Sequence, residues 1–477
     1  MPSLDPTDWR DLRRLGHRML DDMFDHLAGQ AEGPVWRKMP AALRAELQTP
    51  LPRGPGDAAA AYERFRRLVL PYATGNLHPA FMGWVHGGGT AIGMLAELLA
   101  GGLNANLGGR DHAPIEVERQ VIGWAAEMLG FPATAAGVLV TGTSMANLIG
   151  VLTARTHRLG AGVRRSGLGG VRLAAYTSAG AHGCIPRAME IAGIGREALR
   201  MVPCDADGRM RLDALADAVA ADRRAGLAPF LAVGTAGTVD IGAVDDLSAL
   251  GAFCRDAGLW FHVDAAFGAI AMLAPRLQGL LRGIGQADSV GFDFHKWAQV
   301  PYDAGCFVTR SAAPLLATFA GDAAYLRRDS RGLAGGGTWP CDLGPDLSRG
   351  FRALKVWLTL MVHGADAIGA AVQQSCDLAQ RLAMRIDDTP ELERLAPVAL
   401  NIVCFRYCGA ATGLDALNAA IVADLQEDGI AAPSTTVLEG RLAIRAAIVN
   451  HRTRPEDVDR LVEGVLARGR ARSALAA

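Results

Sequence analysis

Neither sign of charge is in excess in this sequence: 48 lysines and arginines stand against 49 aspartates and glutamates. A net charge of −1 builds no field that would draw the protein to nucleic acid or to an anionic membrane. Uninterrupted apolar runs of bilayer length are missing too. The opening stretch, MPSLDPTDWRDLRRLGHRML, is charged and periodic where a secretion signal would carry an apolar core. The 8 cysteines are scattered without CxxC pairs or zinc-ligand spacing, which excludes a disulfide framework and a structural zinc site and implies no metal. Two of them, Cys404 and Cys408, fall in an apolar strand and at its edge. Internal repeats and low-complexity tracts are absent. What is left is a soluble, cytoplasmic protein in a reducing interior, whose partners are small molecules or copies of itself.

With 477 residues, 50% of them hydrophobic, the chain can bury a large interior and divides naturally into two or three subdomains. From Asp8 to about Gly29 the residues Trp9, Leu12, Leu15, Met19, Met23 and Leu27 recur at helical spacing. The breaker QTPLPRGPGD separates this helix from a second around Tyr62 to Leu70. Residues 1–77 thus read as a helical segment too short to bury its own apolar face, expected to pack on another subunit or on the main body. From about Phe131 to Arg310 short apolar runs alternate with helical segments: GVLVTG, VRLAAYTS, LRMVPC, PFLAVGTAG, LWFHVDAA, SVGFDF and GCFVTR. Runs of this length, buried on both faces and spaced by helices, predict a mostly parallel seven-stranded sheet in an α/β domain spanning 78–347. A glycine-rich loop follows from Arg327 to Asp346, then a helix from about Ser348. Residues 348–477 read as a smaller α+β domain with ALNIVCFRYC and RLAIRAAIVN as strands, and the alanine-rich tail after Arg470 reads as frayed.

Ligands of such sheets bind beyond the carboxyl ends of the strands, so the residues there matter most. The first run ends in TGTSMAN, where Thr141, Gly142, Thr143 and Ser144 lead into a helix. That is either an ordinary capped helix or an anion site built from backbone N–H groups and the helix dipole. His182 follows the second run and reads as a packed or a catalytic histidine. Thr235 and Thr238 offer hydroxyls after the fourth. Asp264 closes the fifth, a costly place for a carboxylate without a cationic or donor partner. The sixth delivers His295 and Lys296, which alone would read as a solvated pair. In order on one sheet, these residues meet the needs of pyridoxal 5′-phosphate: a helix N-terminus for the phosphate, a carboxylate for the ring nitrogen, a flat cover for the ring, an amine for the aldehyde.

The motifs TGTSMAN, AHGCIPRAMEIAG, GTAGTVDIGAVDDL, HVDAAFG, DFHKW and LSRGFRALKVW resemble those of the group II pyridoxal-phosphate-dependent amino-acid decarboxylases, the family of aromatic-L-amino-acid, glutamate and diaminobutyrate decarboxylases. The likeness runs from about His78 to the end. It implies fold type I, the aspartate aminotransferase fold, and a homodimer with active sites at the subunit interface. Carried over position by position, it makes Lys296 the internal Schiff-base lysine and Asp264 the partner of the pyridinium nitrogen. His182 stacks on the ring, Thr143 and Ser144 hold the phosphate, Ala266 lies against the ring, and Thr235 and His295 complete the pocket. Asp293 stands where some relatives have asparagine near the phosphate.

The implied reaction is decarboxylation of an L-amino acid to an amine and CO2. One departure concerns the tyrosine that many relatives carry on a mobile loop: the corresponding segment here, GLAGGGTWPCDLG, has none and places Trp339 near that position. His182 or water would then return the proton to Cα, or the carbanion would react with oxygen and give an aldehyde. HPAFMGWVHGGGT aligns with the substrate-pocket segment and offers Trp84, Val85 and His86; GLNANLGGRDHAP offers Asn104, Asn106 and Leu107 from the partner subunit. This pocket is more polar than an all-apolar aromatic one, yet Trp84 can stack on a ring. Aromatic, acidic and diamino acids all remain open as substrates.

Overall fold

The computed structural model describes residues 4–321 and 328–476. Arg327, where the sequence opens the glycine-rich loop, lies outside the described residues. The strands are β1 (Phe81–Met82), β2 (Ala136–Val140), β3 (Leu173–Ser178), β4 (Leu199–Val202), β5 (Ala228–Thr235), β6 (Trp260–Asp264), β7 (Ser289–Asp293), β8 (Gly305–Thr309), β9 (Leu392–Arg394), β10 (Ile402–Tyr407), β11 (Ala432–Leu438) and β12 (Arg441–Ala447).

All seven apolar runs become strands of one sheet, in the order β2-β8-β7-β6-β5-β3-β4. Strand β8 runs antiparallel to both neighbours, and the other pairings are parallel. The carboxyl ends of β2, β3, β5, β6 and β7 therefore open on one edge. Every residue of β3, β6, β7 and β8 is buried, as a sheet covered by helices on both faces requires. The helix Thr143–Leu159 lies directly on β7 and β8 and leads out of β2 at that edge.

A second sheet, β1-β11-β12-β10-β9, gathers the C-terminal strands, with β1 added in parallel to β11. The segment just after His78 thus joins the smaller sheet. Asn450 holds it there by donating to the carbonyls of Asn76, Leu77 and His78, and the Thr453 hydroxyl donates to that of Pro79. The first helix is Trp9–Ala28, and it buries none of its residues. After a short helix Ala41–Ala45, the one expected around Tyr62 is Ala58–Leu68, starting earlier than the apolar spacing suggests because Asp57 caps it by accepting the Ala60 N–H at 2.7 Å. The helix expected from Ser348 begins at Arg352, since Arg349 is drawn into the core.

The tail after Arg470 is a correction. It is helical to Ala476 as part of Pro455–Ala476, because Arg470 and Arg472 pair with Glu391 and Asp424 at 2.7 and 2.6 Å and alanine favours helix between them. Among the described residues no helix is long and apolar enough to cross a membrane.

Candidate active site

The turn after β2 comes first in the chain. Gly142 is extended, and the helix begins at Thr143. A Cβ on Gly305 of β8 would lie 2.4–2.7 Å from the Gly142 backbone, so the two strands close up only because residue 305 is glycine. The Thr143 N–H, counted above as open to an anion, instead donates to Asp293 Oδ1 at 2.7 Å. The Thr143 hydroxyl is buried and has no hydrogen-bond partner among the described residues, and neither has that of Thr235 at the end of β5. Thr238, by contrast, spends its hydroxyl on the Ala243 N–H within its own turn.

Asp293, the last residue of β7, does more than the sequence assigned to it. Its Oδ2 lies 2.8 Å from Lys296 Nζ and 3.7 Å from His295 Nε2. One buried carboxylate thus orders the helix start, the lysine and the histidine. His295 Nδ1 accepts the Ala304 N–H at 3.0 Å, which leaves the ring proton on Nε2, facing Asp293. Burial holds the His295 pKa below its ordinary value, against the pull of Asp293.

Asp264 closes β6 and is buried. Its Oδ2 accepts Asn147 Nδ2 at 2.9 Å and its Oδ1 the Ala266 N–H at 3.2 Å. Burial pushes its pKa above the carboxylate range, opposed by Lys296, His182 and these donors. Such a group gains from a further cation at its open side. His182 stands beyond β3 with its ring exposed, its Nδ1 accepting the Cys184 N–H at 3.2 Å.

These side chains line one cavity of about 500 Å³, which Lys296, Asp264, His182, Thr143, Ser144, Thr235, Ala266, His295, Trp84 and Val85 share. Larger hollows elsewhere on the surface hold none of them. The outer wall is aromatic. The ring centre of His86 lies 5.7 Å from those of both Phe81 and Trp84, which are themselves 6.2 Å apart, and His86 meets the edge of Tyr302 at 5.9 Å. Tyr302 in turn lies 4.3 Å from the His295 ring. Arg445 lines the cavity too, but its guanidinium is held by the carbonyls of Trp84, Val239 and Asp240.

Three expected substrate residues are not brought to this chain's cavity. Asn104 ends a helix in the left-handed conformation, and Asn106 accepts the N–H groups of Gly108 and Arg349. Trp339 is buried within its own loop: its indole N–H donates to the Gly335 carbonyl at 2.8 Å, and the guanidiniums of Arg110 and Arg328 lie 4.5 and 4.3 Å from its ring. Sequence reasoning missed Tyr302, Cys184 and Asn147. Tyr302 follows Lys296 by six positions and could have been found from that proximity; Asn147 closes the quoted motif TGTSMAN, but its place one turn into the helix does not say which way its side chain faces.

The donor set fits pyridoxal 5′-phosphate: the orphan Thr143 hydroxyl and a helix start for the phosphate, a carboxylate raised by burial for the ring nitrogen with the orphan Thr235 hydroxyl beside it, and an amine for the aldehyde. Comparison with known proteins agrees. The profile of the pyridoxal-dependent decarboxylase conserved domain matches residues 40–408. An aromatic-L-amino-acid decarboxylase of Bacillus atrophaeus is 32% identical over 457 residues, covering 94% of this chain and 93% of that protein. The aromatic-L-amino-acid decarboxylase of Mus musculus is 30% identical over 423 residues, 84% of this chain and 86% of that one. The crystal structure of Oryza sativa TDC with PLP and tryptamine superimposes with a TM-score of 0.90 at 26% identity, over 99% of this chain and 100% of that chain.

Proposed function

The chain belongs to the pyridoxal-dependent decarboxylase family, and from that premise we propose that it decarboxylates an aromatic L-amino acid to the corresponding amine. It is a pyridoxal-phosphate enzyme of fold type I and a carboxy-lyase acting on amino acids. The observation that carries the aromatic substrate is the wall formed by Trp84, His86 and Tyr302 beside Lys296, in which Trp84 stacks on His86, Tyr302 meets His86 edge-on and buried Phe81 backs them. A planar side chain adds one more ring to that stack. The names of the relatives support the same class.

In this reading the Lys296 amine would hold the cofactor's aldehyde carbon, Thr143 and Ser144 its phosphate end, and Asp264 would face its ring nitrogen, with Thr235 and His295 completing the pocket. Bound there, pyridoxal phosphate supplies an electron sink for the pair left when the Cα–carboxylate bond breaks. His182 and Ala266 confine the ring between them. Trp84, Val85 and His86 orient the substrate so that the carboxylate is the group set to leave. His182 then holds the proton that returns to Cα. Gly305→Ala should push the Gly142 turn off its position at a cost of about 1–3 kcal/mol. Titration of the cofactor-free variant with pyridoxal phosphate checks this, and wild-type affinity would show that the turn does not carry the phosphate.

A second reading is favoured by the loop that lacks tyrosine and keeps Trp339 enclosed. An aldehyde product would consume one O2 and one water and release CO2, ammonia and hydrogen peroxide along with it. A screen of amino acids in which CO2, amine, aldehyde, ammonia and peroxide are measured together separates the two. CO2 and amine in equal amounts without peroxide sustain the decarboxylase; peroxide matching CO2 replaces it with the oxidative reaction. An acidic or diamino acid as the best substrate would overturn the aromatic assignment.

The helix Trp9–Ala28 exposes Trp9, Leu12 and Phe24, and Leu98, Leu99 and Leu103 are exposed on the helix Ala91–Leu103. We infer that a second copy covers them, bringing Asn104, Asn106 and the Trp339 loop toward the neighbouring cavity. Light scattering should give twice the chain mass of 50.1 kDa. The 8 thiols, with no disulfide among them, support a reducing, cytoplasmic setting.

A further inference from the structure

We propose that Trp260, Ser289, His262 and Asn147 form a one-way hydrogen-bond relay that orients Asp264 and keeps its carboxylate ionised toward the cofactor. This rests on the reading above, in which Asp264 faces the ring nitrogen.

The relay begins with strand periodicity. Trp260, His262 and Asp264 alternate along β6 and share one face. Against that face lies the helix Thr143–Leu159, which presents Asn147 and, one turn later, Gly150. A Cβ on Gly150 would lie 2.9 Å from the His262 ring, and one on Gly291 of β7 would lie 3.0 Å from Asn147 Oδ1. Both glycines make room for the polar side chains between helix and sheet. Ser289 of β7 is the register partner of His262.

Four contacts join the groups. Trp260 Nε1 donates to Ser289 Oγ at 2.9 Å, Ser289 Oγ lies 2.8 Å from His262 Nδ1, His262 Nε2 lies 2.8 Å from Asn147 Oδ1, and Asn147 Nδ2 donates to Asp264 Oδ2 at 2.9 Å. Asn147, His262 and Ser289 are each 0% exposed, so water cannot substitute for any of them. The direction follows from the two ends. An indole N–H can only donate and an ionised carboxylate can only accept. Between them the serine must give its proton to Nδ1, the imidazole must carry its own on Nε2, and the amide must turn its NH2 to Asp264. Burial pushes the His262 pKa down to about 3, so the ring is neutral and has one N–H to place.

A proton on Asp264 Oδ2 would reverse the amide and the imidazole, so that Ser289 Oγ accepts from both Trp260 and His262 and its own buried O–H loses its acceptor in the relay. The last donor also strengthens as the carboxylate takes charge. Both effects favour the ionised form, which is the form that keeps a proton on the cofactor's ring nitrogen. None of the four residues needs to touch the cofactor; they are positioning residues.

The test is titration of the cofactor-free chain with pyridoxal 5′-phosphate, with turnover as a second readout. Asn147→Ala and His262→Leu should weaken binding about 10- to 100-fold, the worth of a hydrogen bond to a charged group. His262→Gln keeps an amide donor toward Asn147 and should bind within about threefold of wild type. A merely structural histidine would not be rescued in this way. Asp264→Asn separates the two levels of argument. If it weakens binding while Asn147→Ala stays within about threefold of wild type, the relay is wrong and the role of Asp264 stands. If Asp264→Asn binds like wild type, both fall. Nitrogen NMR of the histidine-labelled wild-type chain needs no variant to fold: His262 protonated on Nε2 alone supports the relay, and a proton on Nδ1 overturns it.

Discussion

Lys296→Ala should abolish covalent capture of pyridoxal phosphate on borohydride reduction and lower turnover by at least about a thousandfold. The amine sits at the edge where β7 ends, in the cavity that also holds Asp264 and His182. Among the described residues no other lysine lines that cavity. Removing it also leaves Asp293 with the Thr143 N–H and the more distant His295 as its remaining partners. The variant should therefore lose some cofactor affinity as well as its chemistry. Added methylamine should restore part of the turnover by supplying the missing group. Peptide mapping after reduction, with turnover measured in parallel, decides it. A variant that still fixes the cofactor covalently, or that keeps turnover within about tenfold of wild type, would refute the assignment of Lys296.

The largest effect on stability is expected at Glu118. Arg349 and Glu118 form a buried ion pair at 2.5 Å, with side chains 1% and 4% exposed. Around it, Arg349 donates to the carbonyls of Leu107 and Leu139, and Glu118 accepts the Leu139 N–H at 3.1 Å. Strand β2 is at the edge of the sheet, and this pair satisfies the outward backbone groups of Leu139, three residues before the Gly142 turn. Glu118→Ala leaves the guanidinium buried without its counter-charge, a cost of about 3–5 kcal/mol. Against a total stability of about 5–15 kcal/mol that is a large fraction. Calorimetry should show the melting temperature falling by roughly 3–5 °C. The double variant Glu118→Leu/Arg349→Met should recover part of the loss, because it removes the unpaired charge but not the exposed need of Leu139. A single variant that melts within about 1 °C of wild type would show the pair to be dispensable.

The two predictions draw on residues of different legibility. Lys296, Asp264 and His182 could be found from the sequence because each follows an apolar run, and a run buried on both faces announces where its strand ends. The seven strands were readable for the same reason. Arg349 belonged to a quoted motif, but nothing in LSRGFRALKVW says that its side chain turns inward. Asn147 is harder still: its value depends on how the helix Thr143–Leu159 is rotated against β6, which no spacing within the helix reveals. For Trp339, counting along the chain sets it near a missing tyrosine but says nothing of its surroundings, which Arg110 and Gly109 supply from a distant segment. The C-terminal tail was misjudged because its stabilising partners, Glu391 and Asp424, lie far back in the chain.

The antiparallel insertion of β8 between β2 and β7 also sets an order of assembly. The strand that leads into the Gly142 turn has its hydrogen-bonding neighbour about 170 positions further along, and loops that long close slowly. Thr143 likewise waits for Asp293, 150 positions away. A chain emerging from the ribosome can pair β3 with β4 early, but it has no complete cofactor site until Gly305 to Thr309 have been made and threaded between two strands already waiting. Until then β2 is an unpaired apolar strand, open to the wrong partner, and a truncated product ending before β8 should aggregate instead of binding cofactor.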